Sequence, residues 1–363
     1  MSALGILQAA CAQPLAAARA ARAQGRKVVA YLGSAVPVEL IHAAGAFAVQ
    51  LAGDPALDTP LADRYLDEEF DGEIRALFDL IASGACNVAD LVVIPRSSNG
   101  LLYLYYSLLE LRRLEPQLDF PELLLYDVLN TPNWATGRYV LGRTRALHER
   151  LGGSLDAVRA AIAAANDVRR ALHGLDARRR AGRLRGSSWW CALRAARVMA
   201  PQDWLAAAAA LPDEAAPARR LLLKGYGQDT PALFLLAESL GASIVADDYL
   251  GGARSVSVLV DQAAEPLAAL AEHVQRHVPT VRSYPQARED AAWLALVEES
   301  RVQAVLFYHE EFDDVLGWDY PLQKALLERR GLPQLLLARQ SYRAPDRSAQ
   351  RAALADLIER IAA

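Results

Sequence analysis

Residues 27–54, KVVAYLGSAVPVELIHAAGAFAVQLAGD, decide the fold. Residues 28–32 are apolar and open on two β-branched valines, which reads as a short strand ended by a tight Gly33-Ser34 turn. Pro37 falls in the first turn of the following helix, where a missing N–H leaves no hydrogen bond unmade. Helical spacing puts Leu40, Ile41 and Ala44 on one apolar side, Gly45 stops the helix, and residues 47–51 read as a second strand. Strand, turn, helix, strand is the repeating unit of a parallel sheet. Ligands in such units sit where strand ends meet helix N-termini, here around Gly33, Ser34 and Ala35.

The same grammar extends in both directions. Residues 5–25 read as one alanine-rich helix and 55–63 as a linker. A helix over 71–83 carries the stripe Ile74, Leu77, Phe78 and Ile81, followed by a strand over 91–94 closed by Pro95. The loop 96–100, a helix over 101–113 and a strand over 123–126 complete the first half. Residues 139–210 read as helical throughout. A second α/β region opens near Arg219 with a strand over 221–224, a glycine-bearing loop over 225–229 and a helix capped by Thr230-Pro231. A strand over 243–246 has Asp247-Asp248 at its C-terminal end, and strands over 304–308 and 334–338 flank a helix over 320–330. A last helix covers 348–363. The expected architecture is α/β: two Rossmann-like (flavodoxin-like) parallel-sheet domains, 1–138 and 216–363, with a helical connector over 139–215.

Composition narrows the function classes. A chain of 363 residues with 53% hydrophobic and 23% charged residues suits two globular domains with ordinary cores. A net charge of −4 gives no reason to expect nucleic acid, and the basic run 178–185 reads as a solvated or partner-facing helix surface. No apolar run approaches the ~20 residues that cross a bilayer. Residues 1–22 lack a basic n-region and read as an amphipathic helix rather than a signal peptide, which places the chain in the cytoplasm. Cys11, Cys86 and Cys191 are few and widely spaced, so they read as small packed residues rather than a disulfide framework or a metal site.

Polar residues at strand C-termini are the candidates for chemistry. The first half offers Ser34, Glu39, His42 and Ser97-Ser98-Asn99; the second offers Tyr226, Gln228, Asp229, Asp248, Arg254 and the run His309, Glu310, Glu311, Asp313, Asp314. Glu39 and His42 lie three apart and share a helix face, either as an ion pair with a packed histidine or as an acid/base pair. Asp248 either binds a substrate hydroxyl or caps the next turn. The run 309–314 reads as a solvated loop in preference to a divalent-cation site, because no fixed glycine or ligand spacing supports the latter. Gly225-x-Gly227 is a fragment of a phosphate loop, and no GxSxG, Walker loop or HExxH is present.

The stretch also resembles the opening of the 2-hydroxyacyl-CoA dehydratase and benzoyl-CoA reductase subunit family. There a strand leads to Cys-Ser and then Pro-x-Glu-Leu-Ile-His-Ala-Ala-Gly; this chain keeps Ser34, Pro37 and 39–45, with Gly33 in place of the cysteine. Ser98-Asn99-Gly100 resembles the family's Cys-Asp-Gly. Residues 247–254, DDYLGGAR, resemble Asp-Asp-x-Cys-x-Gly-x-Arg, and Phe312-Asp313-Asp314 with 318–321, WDYP, resembles Phe-Cys-Asp-Pro leading to Asp-Tyr-Pro. The resemblance implies α/β domains, dimers of related subunits, an acyl-CoA ester as ligand, a [4Fe–4S] cluster on three cysteines and an activator ATPase that supplies an electron. Its three ligand positions fall at Gly33, Ser98 and Asp313, none of them cysteine. Iron–sulfur clusters need thiolates, so no cofactor is expected here and no residue is assigned to a metal.

Three functions remain open. One is an acyl-CoA-binding or supporting subunit of a dehydratase- or reductase-type complex, with Ser34, Ser98, Asn99, Asp248 and Arg254 around the ligand and a paralogous or identical subunit as partner. Another is a redox-independent acyl-CoA enzyme using Glu39 and His42. The last is a structural or regulatory partner without chemistry.

Overall fold

The computed structural model describes residues 1–313, 315–343 and 345–361. Two helices, α1 (Ala3–Ala12) and α2 (Ala16–Ala23), come first. They replace the single helix expected over 5–25 because Pro14 lacks an N–H and its ring blocks the preceding turn. The first sheet region holds β1 (Val28–Tyr31), α3 (Val38–Ala43), β2 (Phe47–Gln50), α4 (Pro60–Tyr65), α5 (Gly72–Ala82), β3 (Leu91–Pro95), α6 (Asn99–Leu114) and β4 (Glu122–Tyr126). Pro37 stands at the N-cap of α3 rather than within its first turn. The segment 55–63 is not a plain linker, since α4 starts on Pro60 within it.

Four helices follow: α7 (Trp134–Leu151), α8 (Leu155–Arg180), α9 (Gly186–Ala195) and α10 (Pro201–Ala209). The rest comprises β5 (Arg219–Gly225), α11 (Ala232–Ser239), β6 (Ala242–Tyr249), a 3-10 turn (Ala253–Val256), α12 (Pro266–His277) and α13 (Gln286–Glu299). The chain then finishes with β7 (Ala304–Glu310), α14 (Leu316–Glu328), β8 (Gln334–Gln340) and α15 (Arg347–Arg360). No described helix is long and apolar enough to cross a membrane.

The strands form two four-stranded, all-parallel sheets in the orders β2-β1-β3-β4 and β6-β5-β7-β8. The two halves therefore repeat one Rossmann-like architecture. Helices cover both faces, and the two-residue period of β1 divides its side chains between them. Val28 and Ala30 pack with Phe78 of α5 and Leu104 of α6, while Val29 and Tyr31 pack with Leu40 of α3, Val158 of α8 and Leu270 of α12.

Packing does not follow chain order. Leu7 of α1 is buried in the core of the second sheet beside Trp189 and Trp204, and Leu267, Leu270 and Val274 of α12 are buried in the core of the first. Each sheet thus borrows a helix from the other end of the chain.

Two strands run further than their apolar letters. β6 continues to Tyr249 and takes Asp247 and Asp248 inside it, where Asp247 is 0% exposed. β7 continues to Glu310, so His309 and Glu310 are buried strand residues and not part of a solvated loop. Asp314 lies outside the described residues. The basic run also departs from expectation at one position: Arg179 is fully buried. Its guanidinium pairs with Asp176 on the preceding turn and with Asp247 at 2.5 Å, and it stacks 4.6 Å from the Trp189 ring centre. Burial alone works against the charge of Arg179, but Asp176 and Asp247 outweigh it and hold the group protonated.

Removing Arg179 leaves Asp247 buried without its cation. Arg179→Leu is expected to lower stability by about 3–5 kcal/mol, read from the midpoint of chemical unfolding. Arg183→Leu, four residues on and pairing with Asp213 at the surface, is expected to change it by less than about 1 kcal/mol. Equal effects at the two positions would refute this assignment.

Candidate functional site

The C-terminal ends of the two sheets face each other across a cleft of about 630 Å³. The first sheet contributes the turn Gly33-Ser34-Ala35 after β1, Gln50 at the end of β2 and Ser97-Ser98-Asn99 after β3. The second contributes Tyr226 to Asp229 after β5, Tyr249 to Gly251 at the end of β6, and Glu310 with Phe312 at the end of β7. Parallel strands bring their C-terminal ends, and so their loops, to one edge, which is why residues 200 positions apart in the chain share this wall.

Hydrogen bonds fix the loops. Gly33 has φ +58°, a left-handed conformation that favours glycine, and its carbonyl accepts from Gln50 Nε2 at 2.6 Å. Arg194 NH1 donates to Gln50 Oε1 at 2.9 Å, so α9 holds the β1 turn through one amide. Ser98 Oγ accepts from Leu101 N at 3.1 Å as the N-cap of α6, and Asn99 Oδ1 accepts from Arg282. On the opposite wall Asp247 Oδ1 accepts from Ala253 N at 2.7 Å and Arg197 donates to Gly251 O and to Ser255 Oγ, which shapes the turn after β6.

The candidate residues separate into three places. Ser34, Ser98 and Asn99 line the cleft. Asp248 and Arg254 do not: Asp248 pairs with Lys224 at 2.5 Å and Arg254 at 2.7 Å, and Arg254 also pairs with Glu289 at 2.6 Å. Burial pushes the Asp248 carboxyl up, but Lys224 and Arg254 outweigh it and keep it ionised below its usual range. This closed network ties β5, β6 and α13 together.

Glu39 and His42 line a smaller chamber behind the β1 turn. Glu39 is 1% exposed and pairs with Arg169 of α8 at 2.6 Å. Burial raises its carboxyl, and Arg169 more than reverses this, so it sits below its ordinary value and is a weak proton acceptor. Burial lowers His42, which stays neutral at pH 7.

The three positions assigned by resemblance to cluster ligands offer no thiol. Gly33 has no side chain and Ser98 Oγ is used as a cap. Asp313 Oδ1 accepts from Tyr226 Oη at 2.7 Å and from Val315 N and Leu316 N at 3.0 and 2.8 Å. The cysteines lie elsewhere: Cys86 is buried in the first core, and Cys11 and Cys191 face each other at 3.5 Å between α1 and α9. This donor set does not fit an iron–sulfur cluster. Among the described residues no group of three or more His, Cys, Asp and Glu stands ready to hold a metal ion.

The cleft instead gathers carboxyls. Asp71 and Glu73 at the start of α5 and Asp229 and Glu310 from the second sheet all line it. Asp229 accepts from Tyr342 Oη at 2.7 Å, while Glu310 is buried at the end of β7. Burial, then the fields of Asp229 and Asp71, push Glu73 up to about 8. Burial and the same neighbours, with Glu73 first among them, raise Glu310 well above the carboxylate range. Glu73 therefore holds its proton at neutral pH. Asp229 and Glu310 are legible in the sequence as strand-end residues; Asp71 and Glu73 carry no such signal, because α5 reaches the cleft through its N-terminus.

A two-sheet parallel α/β protein with a cleft between opposed strand ends is the class this geometry defines. The family model for the 2-hydroxyglutaryl-CoA dehydratase D-component matches residues 34–361, and the chain belongs to that family. It is also similar to the (R)-phenyllactyl-CoA dehydratase beta subunit of Clostridium sporogenes, 24% identical over 119 residues. That match covers 33% of this chain and 32% of the relative, about a third of its length. A solved structure, SBP FpvC from Pseudomonas aeruginosa in complex with Mn2+, aligns over 93% of this chain and 97% of its own at 14% identity. Its TM-score of 0.21 is too low to carry any argument.

The raised Glu73 carboxyl has a consequence for stability. The unfolded chain releases this proton near 4.5 and the folded chain near 8, so the folded state binds more protons between those values and stability falls as pH rises through the window. Glu73→Gln is expected to flatten that fall and to raise the melting temperature at pH 8 relative to the wild type. An unchanged pH profile would refute the shifted carboxyl.

Proposed function

We propose that this chain is a cytoplasmic subunit of a dehydratase- or reductase-type assembly, binding an acyl-CoA ester without a [4Fe–4S] cluster of its own. The observation that carries the reading is the cleft lined by Gly33 and Ser98, with Asp313 bonded to Tyr226 of its wall: family membership supplies the ligand class, and the thiol-free donor set at these positions removes the means of holding a cluster. The partner is a paralogous subunit or a second copy of this chain, and the activator ATPase implied by the resemblance would act on a cluster held by the partner.

A guanidinium at the opening supports an anionic carrier. Arg282 lines the opening, and burial, then the positive field of Arg96, depress its pKa. Arg96 bonds Asp127 at 3.3 Å and leaves its Nε without a partner. The Arg282 guanidinium suits a phosphate of coenzyme A, since it offers a planar fork of donors. Glu73, deeper in the cleft, would place a protonated carboxyl rather than an anion beside the ester.

Titration calorimetry tests the reading directly. The isolated chain is expected to bind free CoA and its esters, and Arg282→Glu to weaken both about tenfold, roughly 1.4 kcal/mol. Anaerobic purification is expected to yield no stoichiometric iron or acid-labile sulfide from the chain alone. Failure to bind any CoA compound removes the ligand assignment, and iron near the roughly four per chain of a [4Fe–4S] cluster removes the cluster-free one.

A further inference from the structure

Cys11 and Cys191 lie 180 positions apart in the chain, yet their sulfurs meet at 3.5 Å. Cys11 stands in the last turn of α1 and Cys191 in the middle of α9, and both helices pack into the core of the second sheet. Both are free thiols, and Cys11 Sγ donates to the Cys191 carbonyl at 3.4 Å. A disulfide holds its sulfurs about 2.05 Å apart, so roughly 1.5 Å remains to close. The remaining cysteine gives the contrast. Cys86 is fully buried in the core of the first sheet, and burial pushes its thiol up to about 12.

The two facing thiols differ in a way that suits stepwise chemistry. Cys11 is half-buried and Cys191 is buried. A hydrogen bond from Cys191, helped by the positive field of Arg194 and the backbone of Ala195, outweighs burial and holds Cys11 below the ordinary thiol value. Cys191 moves the other way, raised by its bond to Cys11 and by burial. Cys11 is therefore the sulfur with more thiolate character and with access to solvent, and Cys191 is a protonated thiol directly behind it.

We infer that Cys11 and Cys191 form a peroxide-sensitive dithiol that closes reversibly to a disulfide and staples α1 to α9. The Cys11 thiolate attacks one peroxide oxygen and the O–O bond breaks. Sulfur is left as a sulfenic acid, and the other oxygen takes up the Cys11 proton and leaves as water or an alcohol. The Cys191 sulfur then attacks the Cys11 sulfur; the S–S bond forms, and the sulfenic hydroxyl leaves as water with the Cys191 proton. The two sulfurs together lose two electrons and one peroxide gains them, while a small dithiol reverses the bond by exchange. The inference does not depend on what the cleft binds. Its consequence reaches the cleft through α9, which places Trp190, Leu193 and Arg194 in the wall and holds Gly33 through Arg194 and Gln50. A cross-link spanning so long a stretch of chain also restricts the unfolded state.

The test treats the full chain with a small excess of hydrogen peroxide, then counts thiols after denaturation and maps the peptides by mass. Of the three cysteines, Cys86 alone is expected to remain free, with a single link between Cys11 and Cys191 and all thiols restored by dithiothreitol. Cys191→Ser is expected to stop at the sulfenic acid on Cys11, captured by dimedone, and Cys11→Ser to keep both its thiols at the same dose. Cys86→Ser is expected to leave the link unchanged. Oxidised wild type is expected to unfold at a higher urea concentration than reduced, a difference absent from Cys11→Ser. The wild-type map decides the question even if a serine variant does not fold. Survival of all thiols, preferential loss of Cys86, or a link between two chains would overturn the dithiol, and an unchanged urea midpoint with the link in place would overturn the staple.

Discussion

The fully buried guanidinium of Arg179 is the constraint on which the site depends. It joins α8 to β6 through Asp247, and Asp247 uses its other oxygen to hold the backbone of Ala253. One carboxylate thereby fixes the helical layer against the second sheet and sets the course of the turn that forms a wall of the cleft. Trp189 Nε1 donates to the same carboxylate at 3.0 Å, so α9 is registered by it as well. A charge taken this far out of water persists only because two carboxylates and an aromatic face replace its hydration. Buried pairs of this kind are weak sources of net stability but strong sources of position, since misplacing any member leaves an unpaired charge.

From that anchor α9 reaches the first sheet. Arg194 holds Gln50, Gln50 holds the carbonyl of Gly33, and Arg197 holds the turn at Gly251. The two loop systems facing each other across the cleft are therefore tied through α9 and the turn that follows it, and directly where the Gly53 backbone bonds Asp229. The exchange of α1 and α12 between the cores adds to this, since separating the sheets would expose Leu7 on one side and Leu270 on the other. The site sits between two sheets whose relative placement is set by shared helices.

Much of the fold was legible because its signals are local. Short apolar strands, glycines after helices and Thr230-Pro231 before one identify the alternating elements, and both sheets follow from them. The misreadings share a different cause. Asp247, His309 and Glu310 look like loop residues because charge in a strand interior is unfavourable unless paired or protonated, and neither condition is visible in sequence. Arg179 sits in a run of arginines whose other members are not fully buried, and its partner Asp247 lies 68 positions away, beyond any local pattern. For the candidate site, Ser34, Ser98 and Asn99 fall on the cleft wall as strand-end logic requires, while Asp248 and Arg254 are consumed by each other and by Lys224 and Glu289.

By itself the sequence determined the alternation of strand and helix, the strand-end residues Ser34, Ser98 and Asn99 that line the cleft, and the absence of cysteine at Gly33, Ser98 and Asp313, because each of these is written in residues adjacent in the chain. Only the tertiary structure decided which charged groups are free to meet a ligand. Glu39 is neutralised by Arg169 across 130 positions, whereas at Glu73 burial and the fields of Asp229 and Asp71 outweigh the opposing field of Arg194. The protonation of a carboxyl depends on its distance from other charges and from water, and those distances exist only once the two sheets are packed.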